Sequence, residues 1–122
     1  MKANELMIGD WVLVHKPTCK GHRVDYINEM EEEIGADGEI YDVCDIKPIP
    51  LTPEILEKNG FRHGCYVGGY YSPDCPFRVF TKTAGKCEFT TLFDDEIHFL
   101  CVFVHQLQHA LRLCGIDKEI VL

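Results

Sequence analysis

Apolar and polar positions fall into three patterns along the chain: short alternating runs first, a capped helix near the middle, and one long apolar run near the end. The β-favouring run Trp11-Val12-Leu13-Val14, entered through a Gly9-Asp10 turn, predicts a first strand. Cys19-Lys20-Gly21-His22 reads as a loop. Arg23-Val24-Asp25-Tyr26-Ile27 alternates polar and apolar side chains, the period of a half-buried second strand. Gly35-Ala36-Asp37-Gly38 reads as a turn, and Glu39 to Ile46 as a third strand with looser alternation.

Lys47-Pro48-Ile49-Pro50 cannot continue a central strand, because each proline lacks a backbone donor. Thr52 as N-cap, Pro53 at the first helical position and Glu54 at the positive end predict a short helix, and Asn59-Gly60 stops it. Residues 61–93 are aromatic-rich and broken by Gly and Pro. They read as strands near Tyr66–Tyr71, Phe77–Lys82 and Cys87–Leu92, the last two joined by a turn at Thr83-Ala84-Gly85-Lys86. In the long apolar run, Ile97–Leu100 reads as a strand and a helix follows from about Val102. Val104, Leu107, Leu111 and Cys114 form its apolar stripe, and Gly115 ends it. Ile116 to Leu122 is a tail able to add one last strand.

The fold class expected is therefore α+β. A small SH3-like curled β lobe occupies residues 1–50, and residues 51–122 form a short helix and a second antiparallel sheet packed by a C-terminal helix. The 122 residues suit one domain built of those two lobes. Hydrophobic content of 46% with 26% charged residues is that of an ordinary globular protein. The opening residues Met1 to Leu6 lack the apolar core of a signal peptide, and no stretch approaches about 20 apolar residues. The expectation is a cytoplasmic protein with no membrane contact.

The seven cysteines, Cys19, Cys44, Cys65, Cys75, Cys87, Cys101 and Cys114, are odd in number and irregularly spaced, so reduced thiols are expected. No Cys-x-x-Cys occurs, which removes the zinc-ribbon and thioredoxin-like motifs. Cys44, Cys101 and Cys114 lie among apolar neighbours and read as small buried hydrophobes.

Twenty acids against twelve Lys and Arg give a net charge of −8, which argues against a nucleic-acid surface. The acids crowd the first part of the chain, with Glu29, Glu31, Glu32, Glu33, Asp37, Glu39 and Asp42 the densest stretch. That stretch reads first as a solvated hairpin edge, and second as a patch for a basic partner or a nucleic-acid mimic.

A polar patch, His105, Gln106, Gln108 and His109, interrupts the last apolar run. His105 and His109 share a helix face one turn apart, the spacing of the zinc-protease motif. Gln106 stands where that motif needs a proton-accepting Glu, so the protease reading fails. A plain metal site would need His98, Cys101 or Cys114 as a third ligand. Cys19-x-x-His22 and His63-x-Cys65 could assemble a Cys₂His₂ site only if two distant loops met. Gly68-Gly69 lacks the phosphate-loop pattern, and the single serine, Ser72, lies in no nucleophile elbow. Tyr66, Tyr70, Tyr71, Phe77 and Phe80 read as core aromatics rather than a base-stacking face, and Trp11 as the anchor of the first lobe. No catalytic set, metal or cofactor is expected.

The opening Met1-Lys2-Ala3-Asn4-Glu5-Leu6-x-Ile8-Gly9-Asp10-Trp11-Val12 belongs to a recognisable pattern with two later segments. One is Pro48-Ile49-Pro50-Leu51-Thr52-x-Glu54-Ile55-Leu56-x-Lys58-x-Gly60-Phe61, the other Val104-His105-Gln106-Leu107-Gln108. Together they resemble a family of small uncharacterised proteins encoded by gut anaerobic bacteria and their prophages or mobile elements. The resemblance covers both ends and the middle helix, not residues 62–96, and implies a context without an activity. It also implies an asparagine in place of His109, so a two-histidine metal site would not be general to such proteins.

Three readings follow, in order of preference. The first is a non-enzymatic protein-interaction module using His105, Gln106, Gln108 and His109 or the acids Glu31, Glu32 and Glu33. The second is a nucleic-acid-binding accessory protein acting through the SH3-like lobe. The third is a metal- or thiol-dependent enzyme built on His105 and His109. A protein partner is expected; its identity and the oligomeric state are not encoded in any motif.

Overall fold

Strand β1 (Trp11–Val14) buries Val12 and Val14 and leaves Trp11 and Leu13 half-buried, the alternation of a strand lying on a core. The computed structural model describes residues 1–14, 20–63, 69–73, 77–83, 86–91 and 98–122. It is mixed α+β, and the chain divides into two units, Met1–Ile49 and Pro50–Leu122, each with its own five-stranded antiparallel sheet. No described helix is long and apolar enough to cross a membrane.

The first unit adds β2 (Lys20–Asn28), β3 (Glu33–Ala36), β4 (Glu39–Asp42) and β5 (Ile46–Pro48), in the order β4-β3-β2-β1-β5. Strand β2 serves both halves: Lys20–Arg23 pair with β1, and Val24 and Tyr26–Asn28 pair with β3 on either side of a bulge at Asp25. A 3-10 turn, Val43–Asp45, separates β4 from β5 where the sequence suggested one strand from Glu39 to Ile46. The Asp42 carboxylate caps that turn by accepting from the Cys44 N–H at 3.0 Å. Pro48 is tolerated because β5 is an edge strand. The core gathers Val12, Val14, Val24, Ile34, Val43 and Ile46 with Ala3 and Leu6 from the amino-terminal segment. Among the described residues no pairing joins β4 to β5, so the sheet is open and closure into a barrel is not seen.

Trp11 is not the core anchor expected of it. The inward positions of β1 belong to Val12 and Val14, and Trp11 lies half-buried with the Arg23 guanidinium 4.9 Å from its ring centroid. Arg23 is its register partner on β2, a cation–π pair across the ladder.

The second unit begins with helix α1 (Pro53–Lys58), where the Thr52 hydroxyl accepts from the Ile55 N–H at 3.3 Å. Then come β6 (Arg62–His63), β7 (Tyr70–Tyr71), β8 (Phe77–Thr83), β9 (Lys86–Thr91) and β10 (His98–Cys101), in the sheet order β10-β9-β8-β7-β6. Tyr66, Leu92, Ile97 and the Ala84-Gly85 turn tip lie outside the described residues. Helix α2 (Val104–Leu113) lies against β10 and buries Val104, Leu107, Ala110 and Leu111. Cys114, expected on that stripe, is only half-buried at the C-cap. The tail forms no strand. It is held by Asn59, whose side-chain amide donates to the Val121 carbonyl at 2.8 Å and accepts from the Val121 N–H at 2.7 Å.

Candidate functional site

Of the polar patch on α2, the structure leaves little at the surface. His105 is 5% exposed and Gln108 7%, while Gln106 and His109 are half-buried. The His105 ring stacks on Phe103 with centroids 5.9 Å apart and planes 8° apart. His109 meets it edge-on, with centroids 5.6 Å apart. Gln106 is bound to the backbone: its Oε1 accepts from the Val102 N–H at 2.7 Å and the Phe103 N–H at 3.1 Å. This is half a capping box, since Phe103 offers no side-chain acceptor in return. Gln106→Ala is therefore expected to cost about 1–2 kcal/mol in urea denaturation. Gln106→Glu should retain the stability, because a carboxylate accepts both bonds and favours a helix N-terminus.

The acidic candidates divide by role. Glu32 has a left-handed backbone, φ 51°, and its carboxylate accepts from the Ala3 N–H at 2.9 Å. Its carbonyl accepts from the Val43 N–H at 2.9 Å, so it braces the amino-terminal turn and the start of the 3-10 turn. Glu31 is exposed, and its N–H donates to Asn28 Oδ1 at 3.2 Å. Glu33 begins β3 between Asn28 and Asp42.

Register brings together a row that the sequence reading did not single out. Gly35 pairs with Tyr26 on β2 and with Ile40 on β4, so all three lie on the sheet face away from the core. Tyr26 is 43% exposed and Ile40 64%. Gly35 is the floor between them: a Cβ there would lie 2.8 Å from Tyr26 Cβ and 2.9 Å from Asp25 Oδ1. The next row on the same face is Asn28, Glu33 and Asp42. Nine acids fall within residues 24–46 (Asp25, Glu29, Glu31, Glu32, Glu33, Asp37, Glu39, Asp42 and Asp45), and no Lys or Arg does. An apolar strip in a strongly acidic setting is thus the most distinctive surface of the first unit.

At its end lies Cys44, which is exposed rather than buried as its apolar neighbours suggested, because Val43 takes the inward position of the 3-10 turn. Its thiol donates to Asp42 Oδ1 at 2.9 Å. That bond, then desolvation, then the charges of Asp42 and Asp45 push the thiol above its ordinary pKa. The same bonds from Cys44 hold the Asp42 carboxyl below the usual carboxylate range. Less thiolate is present at any given pH, so Cys44 is a poor nucleophile. Iodoacetamide labelling followed by mass spectrometry should show Cys44 reacting only at higher pH than a simple thiol. Asp42→Asn should move that profile to lower pH and speed labelling at pH 8 severalfold.

The remaining sequence candidates do not converge. His22 Nδ1 is hydrogen-bonded to the Asp37 carboxylate of the β3–β4 turn, while Cys19, Cys65 and Cys75 lie outside the described residues. Among the described residues no group of three His, Cys, Asp or Glu side chains is placed to hold a metal ion. Comparison of the chain with protein-family models, curated proteins and solved structures finds no match.

Proposed function

We propose that the protein is a non-enzymatic protein-interaction module of phage or mobile-element origin, acting in the cytoplasm through the outer face of β2, β3 and β4. The observation that carries this reading is the exposed Tyr26–Gly35–Ile40 row in its acidic setting. A large aromatic and a branched aliphatic side chain on either side of a glycine floor form a shallow contact strip, and tyrosine is among the residues that carry most binding energy at interfaces. Met30, at the β2–β3 turn beyond the Asn28–Glu33–Asp42 row, is 95% exposed. The origin rests on the likeness of the opening, middle and closing segments to small proteins of gut bacteria and their prophages.

The first unit is proposed to be an SH3-like lobe. Support comes from the order β4-β3-β2-β1-β5, from β2 shared between both halves and from the 3-10 turn before β5. Nucleic acid is the weaker partner, because residues 24–46 carry no Lys or Arg.

Affinity capture from lysate of the native host, with and without nuclease, tests this reading. A protein partner that survives nuclease treatment is expected. Loss of every enriched partner after nuclease would favour nucleic-acid binding instead.

A further inference from the structure

The two-residue Asp37-Gly38 turn, with φ values of 53° and 81°, is the left-handed pair a type I′ hairpin requires. Such a turn makes Ala36 and Glu39 a hydrogen-bonded pair, and bonding then alternates along the ladder. The Val43 N–H bond to the Glu32 carbonyl continues that alternation. Ile40 and Asp42 therefore fall at the non-bonded positions, so both groups of Ile40 and the Asp42 N–H point away from β3, while the Asp42 C=O accepts the first bond of the 3-10 turn. Strand β4 is the last strand of its sheet, with no neighbour on that side among the described residues.

We propose that this edge receives an extended, lysine- or arginine-bearing segment of a partner protein as a sixth, antiparallel strand. The inference rests on the interaction reading above and names its partner class. Ile40 and Asp42 lie on the same, outer face, so the incoming strand places an apolar side chain beside Ile40 and a basic one beside Asp42. Running antiparallel, it carries the pattern basic-x-apolar. Asp25, Glu33 and Asp42 give this face its negative charge, which selects a cationic strand. A second copy of β4 is a poor occupant, because antiparallel pairing would set Ile40 beside Asp42 and bring no basic side chain to either carboxylate. Main-chain bonds to both groups of Ile40 and to the Asp42 N–H supply the affinity, and the two flanking side chains the selectivity.

The test uses a fluorescein-labelled peptide, Thr-Lys-Thr-Val-Thr-Lys-Thr, titrated with the full chain and read by anisotropy. Saturable binding is expected, weakening with salt and severalfold with Asp42→Asn, which still caps the Cys44 N–H. Backbone N-methylation at the Val position removes the donor that faces the Ile40 carbonyl and should weaken binding about tenfold. N-methylation at the Thr positions should leave it unchanged. Replacing Lys by Glu should abolish it. No saturable binding, or equal binding of both N-methylated peptides, would overturn the proposal. If the peptide fails while lysate capture of a partner still depends on Tyr26 and Ile40, strand addition alone is overturned; if both fail, the interaction reading falls with it.

Discussion

Gly35→Val is expected to lower the stability of the first unit by about 2–3 kcal/mol, with the folded fraction falling at a lower urea concentration. The reason is space, since no φ strain is involved at this position. The nearest atom to an added Cβ is the Tyr26 Cβ at 2.8 Å, which the β2 backbone fixes, so no rotamer change can make room. The strands themselves must separate, or Tyr26 must leave the face. The entropy gained by replacing a strand glycine, about 0.5–1 kcal/mol, offsets only part of this. Gly35→Ala should show a smaller loss of the same sign. Binding through the outer face should weaken in both variants, because Tyr26 is the residue displaced. Unchanged denaturation midpoints in Gly35→Val would mean that β2 and β3 do not approach as closely as their register requires.

Asn59→Ala is expected to cost the second unit about 2–3 kcal/mol and to release residues 116–122. Asn59 is 7% exposed and its side chain makes three hydrogen bonds, to the Ile55 carbonyl at 2.7 Å and to both backbone groups of Val121. It presents to the tail the donor and acceptor that a neighbouring strand would offer. The tail adds Ile120, 1% exposed, to the core, and Lys118 lies over the Phe61 ring at 5.7 Å. Lys58 donates to the Leu122 carbonyl, but that bond is exposed and holds little alone. Hydrogen exchange should show protection lost at Ile120 and Val121. Asn59→Asp keeps the acceptor but turns a carboxylate oxygen towards the Ile55 and Val121 carbonyls, so at neutral pH it should cost at least as much as Asn59→Ala. Retained protection in Asn59→Ala would show that apolar packing holds the tail without the amide.

Local chemistry made α1 legible in the sequence. Thr52, Pro53 and Gly60 take the cap, first-turn and left-handed stop positions their types favour, with Gly60 at φ 86°. The α2 stripe was legible for the same reason: Val104, Leu107 and Leu111 recur at helical spacing and are all buried. Strand β3 was not legible. Its four residues alternate Ile34 and Ala36 inward with Glu33 and Gly35 outward, and Gly35-Ala36-Asp37-Gly38 read as a turn because two glycines flank it. The true turn is only Asp37-Gly38. The single run expected from Glu39 to Ile46 is broken by the Asp42 cap, which cannot be told from alternation.

The candidate site was legible only in its charge. The acids around Glu31, Glu32 and Glu33 were visible, but the brace formed by Glu32 depends on an amino-terminal turn 29 residues away. Tyr26 stood in an alternating run whose exposed side could not be told before β3 was known. The α2 patch looked like a surface because polar residues interrupted an apolar run. In fact Gln106 caps the helix, while His105 and Gln108 are buried with it.

The most direct test of the account is partner capture by wild type against Tyr26→Ala, Ile40→Ala and the double variant, each first shown by circular dichroism to be folded. The account predicts a nuclease-resistant protein partner held by wild type, reduced by each single variant and lost in the double variant. Equal capture by all four proteins would contradict it, because the outer face of β2, β3 and β4 would then play no part in binding.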